Sequence, residues 1–134
     1  MPDQNLDMVR RMYEAFDARD VDGAVALVTE DMEFLPVTAN LTTGGVPYRG
    51  IEGLQRYFDD VARVWDDVRL YPDELRDMGD TVVVLGRAHA RGGGMVLDLP
   101  TGWVWRMREG KICKGRVYAS HEEALAAAAA EGSS

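Results

Sequence analysis

The chain is poor in cysteine and histidine: one cysteine, Cys113, and two histidines, His89 and His121, in 134 residues. A single thiol cannot close an internal disulfide, so no disulfide scaffold is expected and a reducing, cytoplasmic setting is. Two distant histidines and one cysteine offer no zinc-like spacing, so neither a metal site nor a metal cofactor is expected. Basic side chains are also few, 15 against 23 acidic ones, for a formal charge of −8. With no Lys/Arg cluster, that balance argues against nucleic acid and anionic membrane as main partners. No apolar run approaches the roughly 20 residues that span a bilayer. The start, Met1-Pro2-Asp3-Gln4-Asn5-Leu6-Asp7, is polar and acidic and does not resemble a signal peptide.

What is present is a globular composition, 46% hydrophobic and 28% charged, long enough to bury roughly two-thirds of its unfolded surface as one domain over residues 1–134. Leu6, Val9, Met12, Tyr13 and Phe16 recur at helical steps, with Asp3 or Asn5 as caps. A second short helix runs through Val21, Ala24, Val25, Leu27 and Val28. Met32-Glu33-Phe34-Leu35 follows as a first strand, ended by Pro36. Thr38 to Gly50, rich in Thr, Gly, Asn and Pro, predicts a loop with at most short pairing. A third helix spans Gly50 to Trp65. Beyond it the period becomes strand-like: Val68 to Met78, broken near Pro72-Asp73; Thr81 to Arg91; Met95 to Arg108, bent near Pro100/Gly102; and Lys111 to Ala119. Ser120 with Glu123 opens an alanine-rich terminal helix. Helices followed by a strand meander predict an α+β fold, with helices on one face of a curved antiparallel sheet.

Five stretches carry a family resemblance: Ala18-Arg19-Asp20-Val21-Asp22-Gly23-Ala24-Val25-Ala26-Leu27; Tyr48-Arg49-Gly50-Ile51-Glu52-Gly53-Leu54; Met78-Gly79-Asp80-Thr81-Val82-Val83-Val84; Val104-Trp105-Arg106-Met107-Arg108-Glu109-Gly110-Lys111-Ile112; and Tyr118 leading into Glu123-Ala124-Leu125. Together they resemble the SnoaL-like, polyketide-cyclase-like branch of the nuclear transport factor 2-like superfamily, which also contains the ketosteroid isomerases. The resemblance implies a cone-shaped sheet around the N-terminal helices, with an apolar pocket at one end. It implies little about chemistry, because this fold hosts isomerases, cyclases, dehydratases, epoxide hydrolases and non-catalytic adaptors. Ketosteroid isomerases use a tyrosine on the first helix, an aspartate base after the first strand and a protonated aspartic acid on the penultimate strand. The matching positions here are Met12, Pro36 and Trp103, so isomerisation by that mechanism is not expected. Tyr13 is one residue from the first of these, but one helical step turns it about 100° away.

On the strand Thr81 to Arg91, alternation separates Val83, Leu85, Arg87 and His89 from Val82, Val84, Gly86, Ala88 and Ala90. The family register puts the first set in the pocket, making Arg87 and His89 the candidate catalytic residues; the alternative puts those polar residues outside. A pocket-facing Arg87 needs an acid or a ligand anion. A three-residue loop, Gly92-Gly93-Gly94, sets Arg87 opposite Leu99, away from Asp98, whereas a four-residue loop pairs it with Asp98. His121 reads as a solvated first-turn residue. The expected pocket lining is Met12, Tyr13, Phe16, Phe34, Tyr57, Trp65, Leu85, Trp103, Trp105 and Val117, suited to an apolar, ring-containing small molecule. Cys113, Gly115, Val117 and Ala119 share one face and leave space there, and Cys113 reads as a small buried hydrophobe. Val82, Val84, Ala88 and Val104, taken as outward, predict a homodimer through the sheet. Three functions compete: a cofactor-free acid–base enzyme of cyclase, isomerase or hydrolase type; a non-catalytic small-molecule binder; and a dimeric adaptor using the convex face.

Overall fold

The computed structural model describes residues 2–36 and 44–132. Helix α1 (Pro2–Asp17) and the short α2 (Val21–Val25) lead into strand β1 (Val28–Leu35). A two-residue strand β2 (Tyr48–Arg49) opens helix α3 (Gly50–Val64). Strands β3 (Asp67–Asp77), β4 (Thr81–Gly92), β5 (Met95–Arg108) and β6 (Lys111–Tyr118) form the meander, and α4 (His121–Gly132) ends the chain. The six strands make one curved, unclosed sheet in the order β2-β1-β6-β5-β4-β3. Among the described residues only β1 with β6 pairs parallel; the other neighbours are antiparallel. The expected α+β architecture is therefore what the chain adopts. No helix among the described residues is long and apolar enough to cross a membrane.

Local differences have physical causes. Helix α2 stops at Val25, and Val28, expected in it, begins β1. Asp20 caps the helix by accepting from Gly23 N at 3.0 Å, but a glycine interior favours no further turn. Ile112 N then donates to Leu27 O at 2.9 Å, and Val28 pairs with Ile112, so sheet pairing claims the β-branched residue. Helix α1 starts at Pro2, ahead of both expected caps; Asn5 Nδ2 instead donates to Gly79 O in the β3–β4 turn, and the Asp3 side chain lies outside the described residues. The first part of the expected loop, residues 38–43, also lies outside them. The expected break in β3 is a bulge between Tyr71 and Glu74.

The β4–β5 hairpin turns on two residues, not three. Gly92 pairs with Met95, and Gly93 and Gly94 hold φ of 57° and 80°, the paired positive angles of a tight primed turn. Gly92 has a different role: a Cβ there would lie 2.6 Å from Val64 O, so the strand packs directly on the end of α3. Arg87 accordingly faces Pro100 and His89 faces Asp98, a register that neither expected loop length gives.

This register, with the burial pattern, fixes the faces. Val82, Val84 and Ala90 join α1 and α3 in the main core, with Val82 and Val84 fully buried. Val83, Leu85 and Val104 point to the opposite face, where Ala124 and Ala128 of α4 cover them. The face assignment expected from the family register is thus reversed. The apolar outward face invoked for a homodimer is largely interior: Val82 and Val84 lie in the core, Ala88 faces a cavity, and Val104 sits under α4. His121, expected in solvent, donates from Nε2 to Gly86 O at 2.7 Å and is half-buried. The Glu123 N–H donates to Ser120 Oγ at 3.1 Å, as the capping pattern predicts.

Candidate functional site

Between the helices and the concave sheet face lies a cavity of about 100 Å³, well above the ~10–15 Å³ that one water needs. Helix α1 contributes Met12, Tyr13 and Phe16, at steps that keep them on one face. Strand β1 adds Met32 and Phe34, and α3 adds Leu54, Tyr57, Phe58 and Val61, with Trp65 just beyond its end. The sheet closes the far side with Ala88, Leu97, Leu99, Thr101, Trp103, Trp105 and Val117, among others. Nine of the ten expected lining residues are therefore in place; Leu85 is not, because it faces α4. No lining residue among those described carries a charge.

The aromatic walls interlock. Tyr13 meets Trp103 and Trp105 edge-on, with centroids 5.4 and 6.0 Å away. Phe34 stacks on Trp105 at 5.7 Å, and Phe16 stacks on Tyr57 at 5.9 Å. The space expected beside the small residues of β6 is already filled, since a Cβ on Gly115 would sit 2.5 Å from the Trp105 ring. Cys113 is not on that face. It is the extra residue of a bulge, between Ile112 paired to Met107 and Lys114 paired to Arg106. It is half-buried, and burial pushes its thiol up despite the nearby Arg108 and Arg106. Ala119 is exposed.

Polar groups in the cavity are few, and they are mostly donors. The Trp105 indole N–H donates to the Tyr13 hydroxyl at 3.2 Å. Thr101 Oγ1 donates to Leu99 O at 3.1 Å. The Trp103 indole N–H, on a residue 3% exposed, and the Tyr57 hydroxyl have no hydrogen-bond partner among the described residues. Burial raises Tyr13 well above the ordinary tyrosine range, the Trp105 bond offsetting part of this. Burial also raises Tyr57, helped by Tyr48 and opposed by Arg19. Both hydroxyls hold their protons at neutral pH, so neither is a base: Tyr13 accepts from Trp105, and each keeps a hydrogen to offer.

Arg87 and His89, the expected catalytic pair, are outside the cavity. Arg87 Nε bonds Asp98 Oδ1 at 2.7 Å, with side chains 53% and 47% exposed, and His89 Nδ1 lies 3.7 Å from Asp98 Oδ2. The charged residues of β4 take the solvent face because an unpaired guanidinium in an apolar cavity is too costly. Sequence reasoning missed Ala88, Leu97, Leu99 and Thr101 for the same reason. The readable signal was plain alternation, apolar inward and charged outward, together with the two-residue preference of glycine hairpins.

The comparisons agree with this architecture. An NTF2-like protein of unknown function from Burkholderia pseudomallei is 26% identical, with a TM-score of 0.78 over 92% of this chain and 95% of that one. TerC, crystallised with polyporic acid, is 24% identical, with a TM-score of 0.76 over 98% and 99% of the two chains. A Catenulispora acidiphila protein with a ketosteroid isomerase-like fold, in complex with trimethylamine, is 16% identical, with a TM-score of 0.71 over 91% and 92%. No curated protein matches the chain. The SnoaL-like domain family matches residues 9–115, and the chain belongs to that family.

Proposed function

We propose that the protein binds an uncharged, ring-containing small molecule bearing a hydrogen-bond-accepting oxygen, in the manner of the polyketide-cyclase-like proteins it resembles. The observation that carries this reading is the composition of the cavity among the described residues: aromatic and aliphatic walls, no charged lining residue, and a buried Trp103 N–H without an acceptor. A buried donor left unpaired costs about 1–3 kcal/mol, so a ligand oxygen that accepts from Trp103 or Tyr57 recovers free energy that a hydrocarbon cannot. Flat apolar walls favour a ring system. The cavity supplies confinement and donors, which can hold a folded, carbonyl-bearing chain in a reactive shape. Its described lining holds no carboxylate or histidine, and Arg87 and His89 lie outside it, so they take no part in the proposed binding.

Open volume between Trp103 and the helices favours a pocket protein over the adaptor reading. The homodimer stays an expectation of the family resemblance, and sedimentation at micromolar concentration reads it. Cytoplasmic placement stays an expectation from the single free Cys113.

The test compares 1-tetralone with tetralin, two ring systems of nearly equal size that differ by one carbonyl. Binding raises stability by mass action, so 1-tetralone should raise the thermal midpoint and bind about tenfold tighter than tetralin. Trp103→Phe should remove that preference while tetralin binding persists. If neither compound binds, or if 1-aminotetralin binds best, the reading fails.

A further inference from the structure

We infer that the cavity is reached through the gap between helix α1 and strand β3, and that Arg19, outside the cavity, is the latch across that gap. This does not depend on the identity of any ligand. A second hollow of about 240 Å³ lies between α1 and β3, and it shares Tyr13, Phe16, Val68 and Leu70 with the cavity. Those four side chains are therefore the wall between the two spaces, and the outer one is flanked by the exposed Glu14 and Asp17. Strand β3 is an edge strand, and its one sheet neighbour among the described residues is β4, so no second strand holds it on the side of the gap.

Side-chain hydrogen bonds tie α1 to the β3–β4 hairpin near both ends of the helix. Asn5 bonds the Gly79 carbonyl at one end. At the other, Arg19 reaches a carbonyl on each side of the gap: Nη1 donates to Phe16 O at 2.6 Å and Nη2 to Val68 O at 3.4 Å. The guanidinium also lies 4.4 Å from the centroid of the Phe16 ring, one of the four shared side chains. The two halves are unequal. The hold on α1 is short and reinforced by the ring, while the bond to β3 is at the long limit for N–H···O. Arg19 therefore stays anchored to α1 and lets go of β3, and the gap widens at small cost.

The backbone sets this residue apart as well. Asp20 N donates to Ala15 O at 2.8 Å and Arg19 N to Phe16 O at 3.1 Å, closing α1 with a left-handed residue at φ 55°. That position is usually glycine. An arginine there accepts backbone strain, and the left-handed turn projects its side chain across the helix end towards β3.

Acrylamide quenching of intrinsic fluorescence tests the inference. The chain has three tryptophans, and Trp65, Trp103 and Trp105 all line the cavity, so a small neutral quencher reports access to that space. Arg19→Gly removes the latch and suits the left-handed backbone. It should raise the quenching constant about threefold or more with the near-ultraviolet circular dichroism unchanged. Arg19→Lys, which keeps the charge but cannot reach both carbonyls with one nitrogen, should also raise it. Val68→Phe, which narrows the shared wall, should lower it below wild type. Arg87→Met, on the convex face, is the control. If the Arg19 variants quench no more than that control, or more only with loss of the near-ultraviolet signal, the gap is not the way in and the inference is overturned. Because acrylamide needs no binding site, failure of the 1-tetralone experiment leaves this test standing.

Discussion

The Trp105 indole N–H donates to the Tyr13 hydroxyl over 3.2 Å, joining the longest strand to the first helix at the cavity wall. The two residues are 92 positions apart, so this bond is pure tertiary structure. Removing the hydroxyl strands a buried donor. Tyr13→Phe should therefore destabilise the protein by about 1–3 kcal/mol, read as a lower denaturant midpoint with an unchanged slope. Trp105→Phe in the same chain should recover part of that loss, and the double-mutant cycle should return a coupling of about 0.5–3 kcal/mol. Strict additivity would mean that the bond contributes nothing.

Gly115 makes a sharper test of the wall. A Cβ there would lie 2.5 Å from Trp105 and 2.9 Å from Phe34, two rings that already stack on each other. Both rings line the cavity. Gly115→Ala should thus cost about 1–3 kcal/mol and weaken 1-tetralone binding by pushing Trp105 inward. Stability loss with unchanged affinity would show that the wall relaxes away from the cavity instead.

The helices, the meander and nine of the ten expected lining residues were legible in the sequence because each rests on a local period. Met12, Tyr13 and Phe16 are placed by helical spacing alone, as is Tyr57, while Trp65 stands one residue past the end of its helix in extended backbone. The faces of β4 were not legible from the family register, because a strand period of two gives two equal answers and one residue of loop length separates them. The glycines 92–94 could be read as a loop of three, yet Gly92 is a strand residue whose missing side chain lets the end of α3 approach. Nothing local to Gly92 announces that contact. Likewise, the cover over Val83, Leu85 and Val104 is Ala124 and Ala128, residues too small for the sequence to mark as packing partners. Tyr13 and Trp105 were each expected in the pocket, but no local rule pairs them.

Arg87, expected in the pocket, lies on the solvent face and pairs with Asp98. A half-exposed ion pair with Asp98 contributes only about 0–1 kcal/mol. Arg87→Met should change stability within that range and leave 1-tetralone affinity unaltered in a titration. A loss of affinity would return Arg87 to the site.

The stability profile should be shaped by Asp60 at low pH and by the buried tyrosines at high pH. Asp60, 9% exposed, would be raised by burial alone. The Tyr48 hydroxyl, donating at 2.7 Å, and Arg63 at 2.8 Å outweigh that burial, so its carboxyl lies below the ordinary range. A depressed folded value means that the unfolded chain takes up the proton first. The contribution is therefore complete above the unfolded value of about 4 and is lost as pH falls through the lower folded one. Tyr13 and Tyr57 have the opposite sign: raised by burial, they leave stability intact below about pH 10 and erode it above. Chemical denaturation across pH should show wild type exceeding Asp60→Asn most near neutrality, the gap closing towards pH ~2. Tyr48→Phe, which removes one of the two compensating bonds, should raise the Asp60 titration midpoint observed by carboxyl NMR. A constant gap across the acid range, or an Asp60 midpoint indifferent to Tyr48, would show that burial and not the hydrogen-bonded pair governs this carboxylate.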